Sequence, residues 1–188
     1  MKWHNAISPI EPKAYTCGYC GKHTGPNTGY FPDGGRQHRI YICTFCSQPT
    51  YFDQIQKQYP GAQFGNAVAS LPKDVHSLYE EARSSIAARA YTGAALVCRK
   101  ILMHIAVEKG AAKGKSFQFY VEHLANAGYI PPDGKGWVDH IRTKGNEATH
   151  EIVITEKTDA EELFSFLEML LRFVYEFPAR IPKPSAQE

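Results

Sequence analysis

The sequence predicts a small β-rich module gathered around four cysteines, followed by an all-α bundle of about five helices. Three observations predict it. Two Cys-x-x-Cys pairs, separated by 22 residues, lie within the first 60 residues. From Asp74 onward apolar residues recur at helical spacing, and that half offers no good strand candidate. A length of 188 residues leaves room for one ordinary domain and a small module beside it.

Composition narrows the class further. A hydrophobic fraction of 43% and a charged fraction of 21% are close to globular averages, which excludes a disordered chain and a coiled-coil rod. No apolar run approaches the roughly 20 residues that cross a bilayer, and Met1-Lys2-Trp3-His4-Asn5 lacks the apolar core of a secretory signal. A cytoplasmic protein is expected. Residues 1–60 carry six basic and three acidic side chains, a balance of +3, and the rest of the chain carries 15 against 16, a balance of −1. Neither half has the basic excess of a non-specific phosphate binder, so any nucleic-acid contact has to come from local patches.

Cys17-Gly18-Tyr19-Cys20 and Cys43-Thr44-Phe45-Cys46 are the elements that carry chemistry. A Cys-x-x-Cys turn aims two sulfurs at one point, and two facing turns supply a tetrahedral thiolate cage with bonds of about 2.3 Å. The spacing therefore predicts one structural zinc ion bound by Cys17, Cys20, Cys43 and Cys46. Disulfides are disfavoured in a cytoplasmic chain, and a redox Cys-x-x-Cys would occur once, within a βαβ unit. His4, His23 and His38 are spare imidazoles nearby, but four well-spaced cysteines already close the site. A closed site leaves no position for water, so the metal stabilises the fold and does not catalyse. Gly18 and Gly21 flank the first pair, where the chain must curl, and Ser47 and Gln48 follow the second in a similar role. Thr24–Gly29 and Pro32–Gly35 are rich in turn residues, and Arg39-Ile40-Tyr41-Ile42 reads as a strand entering the second knuckle. Strand, knuckle, loop, strand, knuckle describes a zinc ribbon over residues 1–60.

Residues 61–73 read as a linker and residues 74–180 as the bundle, with a polar tail over 181–188. Asp74 is the expected N-cap of a helix over about 74–91, in which Val75, Leu78, Tyr79, Ala82, Ile86 and Ala90 recur at helical spacing. Thr92-Gly93 is the expected break, and Leu96, Ile101, Leu102, Ile105 and Ala106 mark a second helix ending near Gly110, with Cys98 as a small core residue. Ser116 caps a short third helix through Phe117, Tyr120, Val121 and Leu124, closed by Gly128. A fourth is expected from Gly136 to about His150. The last opens at Thr158-Asp159-Ala160-Glu161, which fits a capping box, and runs through Leu163, Phe166, Leu167, Leu170, Leu171 and Val174 to Pro178.

The densest polar cluster of the bundle is Asp139 to His150. On a helix, Arg142, Asn146 and His150 advance by four positions each and share one stripe. With these residues in view, the segment from about Asp74 to Pro178 resembles the HEPN superfamily of helical nucleotide-binding and ribonuclease domains. It is most similar to a bacterial domain-of-unknown-function branch carrying a late Arg-x-x-Gly-Asn-x-x-x-His signature, here Arg142, Gly145, Asn146 and His150. The branch often accompanies zinc ribbons or restriction and phage-defence proteins. The resemblance thus implies a homodimer acting around foreign nucleic acid, with Arg142, Asn146 and His150 as the candidate catalytic set. Active HEPN ribonucleases place an arginine directly before the polar residue of their motif, where this sequence has Gly145.

The expected function is therefore a zinc-containing, nucleic-acid-associated binding or adaptor protein in bacterial or phage defence or counter-defence. Its alternatives are a metal-independent endoribonuclease of the HEPN type and a purely protein–protein interaction module. In the ribbon, Tyr30, Phe31, Tyr41, Phe45, Tyr51 and Phe52 supply ring faces for bases, with Arg36, His38 and Arg39 as the basic partners; the candidate nucleic-acid residues are Arg36, His38, Arg39 and Tyr41. The same aromatics also serve as core in so small a module. Candidate partners are RNA, single-stranded DNA or a protein of a defence system.

Overall fold

The computed structural model describes residues 3–5, 10–32, 37–131, 136–137 and 154–181. Its first part is built from seven short strands: β1 (Trp3–Asn5), β2 (Tyr15–Thr16), β3 (His23–Thr24), β4 (Gly29–Pro32), β5 (Arg39–Ile42), β6 (Pro49–Phe52) and β7 (Gln58–Tyr59). Five of them form an antiparallel sheet in the order β1-β4-β5-β6-β7, and β2 pairs with β3 as a separate hairpin. The strand expected at Arg39–Ile42 is β5, and it pairs with β6 from Arg39 opposite Phe52 to Ile42 opposite Pro49.

Four helices follow among the described residues: α1 (Lys73–Ala87), α2 (Tyr91–Glu108), α3 (Phe117–Asn126) and α4 (Lys157–Leu171). The expected helix from Gly136 to about His150 lies outside the described residues except for its first two positions, which are helical. A β-rich N-terminal part and a helical part thus stand as expected, with these four helices among the described residues where about five were expected for the bundle. By its internal contacts the chain divides into one compact unit of residues 1–64 with 87–89 and another of residues 65–86 with 90–188.

The core of the first unit is small. Ile10, Tyr15, Cys17, Tyr41, Cys43 and Phe52 are buried together, with Cys20 and Cys46 packed against them. Phe52 takes Tyr15 and Tyr41 edge-on, with ring centroids 5.2 and 5.7 Å away. The helical unit has a larger core. Its α2 packs against both α3 and α4, and Ala94, Ala95, Cys98, Ile101, Leu102, Ile105 and Ala106 are buried along it. Burial pushes the Cys98 thiol up to about 12, so it is a small core residue without thiolate character.

Several helix boundaries differ from the sequence reading. The break between α1 and α2 falls at residues 88–90, where Arg89 takes a left-handed φ of 65°, and Thr92 and Gly93 lie in the first turn of α2. Leu96, one of the apolar residues that mark the second helix in the sequence, is 61% exposed, because the buried stripe of α2 runs through 94, 95, 98, 101, 102 and 105 and position 96 is off it. Asp74 lies in the first turn of α1, one residue past its start. The Ser116 cap is formed as expected, its Oγ accepting from the Phe119 N–H at 3.2 Å. Helix α4 begins at Lys157, so the expected Thr158–Glu161 box falls inside the first turn, where Lys157 and Glu161 form an ion pair at 3.5 Å.

Beyond Leu171 the helix widens into a π turn over Arg172–Glu176 before a last turn at Phe177–Arg180. Pro178 accounts for it, since a proline lacks the N–H that would continue the α-helical ladder, and the Phe177 N–H bonds five residues back to the Arg172 carbonyl. The widened turn sends Val174 and Glu176 inward and leaves Phe173 and Phe177 exposed, their rings edge to face at 5.3 Å. Phe164 and Phe166, by contrast, are fully buried core residues.

Candidate metal centre and the ribbon surface

The two knuckles have the same backbone pattern. In the first, the Cys17 N–H donates to the Lys22 carbonyl at 3.0 Å and the Gly21 N–H to the Cys17 carbonyl at 2.9 Å. In the second, the Cys43 N–H donates to the Gln48 carbonyl and the Ser47 N–H to the Cys43 carbonyl, both at 3.0 Å. The residue after each pair is left-handed, with φ of 68° at Gly21 and 57° at Ser47. Glycine is suited to that conformation, and serine adopts it at some cost. The β2–β3 and β5–β6 pairings fix the ends of the two turns, so sheet register delivers both pairs of sulfurs to one point.

All four Sγ atoms lie within 4.8 Å of one another. Cys17 and Cys46 are 3.7 Å apart and Cys20 and Cys43 are 3.8 Å apart, sulfur to sulfur. A tetrahedron with metal–sulfur bonds of about 2.3 Å has an edge of about 3.8 Å, so these two separations match the edges of a tetrahedral zinc site. The distances also exclude disulfides among them. Electrostatics points the same way. Burial works against ionising Cys43, but the N–H groups of Cys46 and Phe45 and the neighbouring thiols outweigh it and bring Cys43 down to about 6. Burial and the neighbouring thiols push Cys46 up to about 12. One thiolate is favoured and further ones repel it, which a divalent cation at the centre would reverse. The donor set fits a metal ion and is compatible with one zinc.

The other candidate residues are dispersed. His38 and Arg39 are consecutive and project from opposite faces of the sheet. His38 Nδ1 lies 2.6 Å from the Tyr51 hydroxyl. Arg39 holds its guanidinium 6.0 Å from the Phe31 ring centroid, and with Tyr41 it helps line a pocket of about 550 Å³. Tyr41 itself is only 5% exposed and its hydroxyl donates to the Glu11 carbonyl at 3.0 Å, so the ring serves mainly as core. Phe52 is buried likewise, whereas Tyr30, Phe31 and Phe45 are exposed. Arg36, and the whole set Arg142, Gly145, Asn146 and His150, lie outside the described residues. Tyr59 went unread in the sequence: β7 is two residues long, and only its pairing with β6 shows which way the ring faces.

Fold and site together define a two-part protein, a four-cysteine β module joined to a helical unit. Residues 80–186, more than half of the chain, match the family described as Domain of unknown function (DUF4145), and the chain belongs to that family. The match begins inside α1 and excludes the cysteine centre. No curated protein and no solved structure matches the chain. No helix among the described residues is long and apolar enough to cross a membrane.

Proposed function

We propose that this protein is a zinc-containing, nucleic-acid-associated binding or adaptor protein, with a zinc ion held by Cys17, Cys20, Cys43 and Cys46 as the structural centre of a ribbon. The observation that carries the nucleic-acid reading is the pairing of cations with aromatic rings on that ribbon. Arg39 stands at 6.0 Å from Phe31, Lys22 at 4.9 Å from Phe45 and Lys57 at 5.3 Å from Tyr59. Phe31, Phe45 and Tyr59 are exposed with a cation over each ring, so each pair brings a ring for stacking and a positive charge for phosphate to one place. The resemblance of the helical unit to HEPN domains supports a cytoplasmic role in bacterial or phage defence or counter-defence.

The zinc-loaded full chain is expected to bind single-stranded RNA or DNA weakly, with affinity falling as salt rises because phosphate contacts release counterions. Fluorescence anisotropy with labelled oligonucleotides across a salt series checks it. Absence of binding at low salt, or binding indifferent to salt, contradicts the reading.

The proposal includes a homodimer formed through the helical unit, supported by the exposed pair Phe173, on the widened turn, and Phe177, directly after it, 42% and 41% accessible. Phe173→Glu is expected to convert the dimer to monomer at tens of micromolar without loss of helix, as sedimentation would report. A wild type already monomeric at that concentration contradicts the dimer.

A further inference from the structure

The register of the five-stranded sheet lines up one residue from each of four consecutive strands. Tyr30 of β4 is opposite Ile40 of β5, Ile40 is opposite Tyr51 of β6, and Tyr51 is opposite Tyr59 of β7. Residues paired in register project from the same face of a sheet. The neighbouring positions Tyr41, Thr50 and Phe52 are buried in the ribbon core, which places the row on the face turned away from that core.

Three aromatic rings therefore stand where no core needs them. Tyr30 is 39% and Tyr59 40% exposed, and Ile40 and Tyr51 between them are half-buried. The Tyr51 and Tyr59 rings are 5.9 Å apart and tilted by 34°. The His38 imidazole lies parallel to the Tyr51 ring within 9°, and the Lys57 ammonium and the Arg89 guanidinium lie over the Tyr59 ring, 5.3 and 5.9 Å from its centre. Asp53, the carboxylate at this end of the row, is engaged by the chain itself. Its Oδ1 accepts from the N–H groups of Ile55 and Lys57 at 3.0 and 2.8 Å, and its Oδ2 from the Tyr59 hydroxyl at 3.4 Å.

We propose that this outer face is a stacking platform for single-stranded nucleic acid, with unpaired bases laid on Tyr30, Tyr51 and Tyr59 and phosphates met by Lys57 and His38. The proposal rests on the nucleic-acid reading above and adds the surface that would carry it and the physical reason for its preference for single strands. A ring needs the open face of a base, and in a duplex those faces are covered by neighbouring base pairs, so the platform selects single strands. A ring accepts any base, so little sequence preference follows. Lys57 and His38 act on the phosphates that RNA and DNA share.

The test is anisotropy of the zinc-loaded full chain with a labelled mixed-sequence single strand of RNA, the same strand of DNA, and the DNA duplex, for wild type, Tyr30→Ala, Tyr59→Ala and Tyr59→Phe. Zinc content and circular dichroism confirm that each variant is folded. Each alanine variant is expected to weaken single-strand binding by about five- to a hundredfold with the salt slope little changed, and Tyr59→Phe to retain it, because stacking needs the ring and not the hydroxyl. Tighter binding of the RNA or of the DNA strand tells which is preferred. A wild type that binds single strands while both alanine variants bind within twofold of it overturns the platform and leaves the nucleic-acid reading intact. Equal binding of duplex and single strand also overturns the platform alone. A wild type that binds no oligonucleotide overturns both.

Discussion

Removal of the metal with a strong chelator at neutral pH is expected to unfold residues 1–64 and to leave most of the helical signal intact. The buried cluster of the ribbon consists of six residues, two of them cysteines of the centre, with the other two cysteines packed against it. Without a cation, four sulfurs within 4.8 Å of one another repel as soon as more than one ionises. Structural zinc supplies about 10–16 kcal/mol in zinc-finger peptides, far more than so small an apolar core contributes. The helical unit has its own fully buried side chains, including Tyr79, Ile101, Leu102, Phe164, Phe166 and Leu170, and is therefore expected to hold without an ion. Far-ultraviolet circular dichroism and limited proteolysis, before and after chelation, check this. Cys43→Ser should behave as the chelated protein does. Protons compete with the metal for the thiolates, so the ion should be released more readily as pH falls. A ribbon that stays protease-resistant after chelation contradicts the expectation, as does loss of the helices with it.

The second large effect is expected from Glu168→Ala in α4. Its carboxylate accepts from the Asn66 backbone N–H at 2.9 Å, the Asn66 side-chain amide at 3.1 Å and Arg172 Nη2 at 2.9 Å. Residues 65–68, within the segment expected as a linker, are held here against α1 and α4. The Tyr79 hydroxyl donates to the Asn66 carbonyl at 2.7 Å, Arg83 to the Gly65 carbonyl at 3.2 Å, and Arg172 to the Ala67 carbonyl at 3.3 Å. Gly65 has a φ of 67°, and a Cβ there would come within 2.4 Å of the Phe164 ring. Removing Glu168 takes the acceptor from both Asn66 N–H groups and leaves Arg172 with Glu176 as its remaining carboxylate, a loss of about 1–3 kcal/mol in the helical unit.

Burial tends to raise the Glu168 carboxyl, but the Asn66 N–H groups and Arg172 outweigh it and hold it below the ordinary value. A depressed folded pKa contributes stability that is present above the unfolded value of about 4.3 and is lost as pH falls through the folded one. Wild type should therefore lose stability in that acid range, and Glu168→Ala should show less of this loss. Urea unfolding at neutral and acid pH measures both effects. A change under about 0.5 kcal/mol at neutral pH would place the carboxylate among ordinary surface groups.

Local chemistry was legible in the sequence, and non-local register was not. The cysteine turns were readable because Cys-x-x-Cys spacing and flanking strand residues, with a glycine after the first pair, fix their geometry within a few positions. The Ser116 cap was readable for the same reason, since its oxygen reaches an N–H three residues on. Tyr41 and Tyr51 look alike in sequence, yet one is core and the other lies on the outer face, because the pairing of β5 with β6 assigns their sides. Thr92-Gly93 carried the stronger local break signal than the Ala88-Arg89-Ala90 that ends α1. The helix restarted early enough to absorb the glycine in its first turn. The stripe Arg142, Asn146 and His150 lies outside the described residues, so its role rests on the sequence reading.

Metal stoichiometry of the native protein tests the central claim most directly. Elemental analysis of the full chain, purified without added metal or chelator, is predicted to find one zinc per chain, with Cys17, Cys20, Cys43 and Cys46 reduced and protected from alkylation until the zinc is removed. A chain with no zinc, or with these four thiols oxidised or freely alkylated in the folded state, would contradict the account.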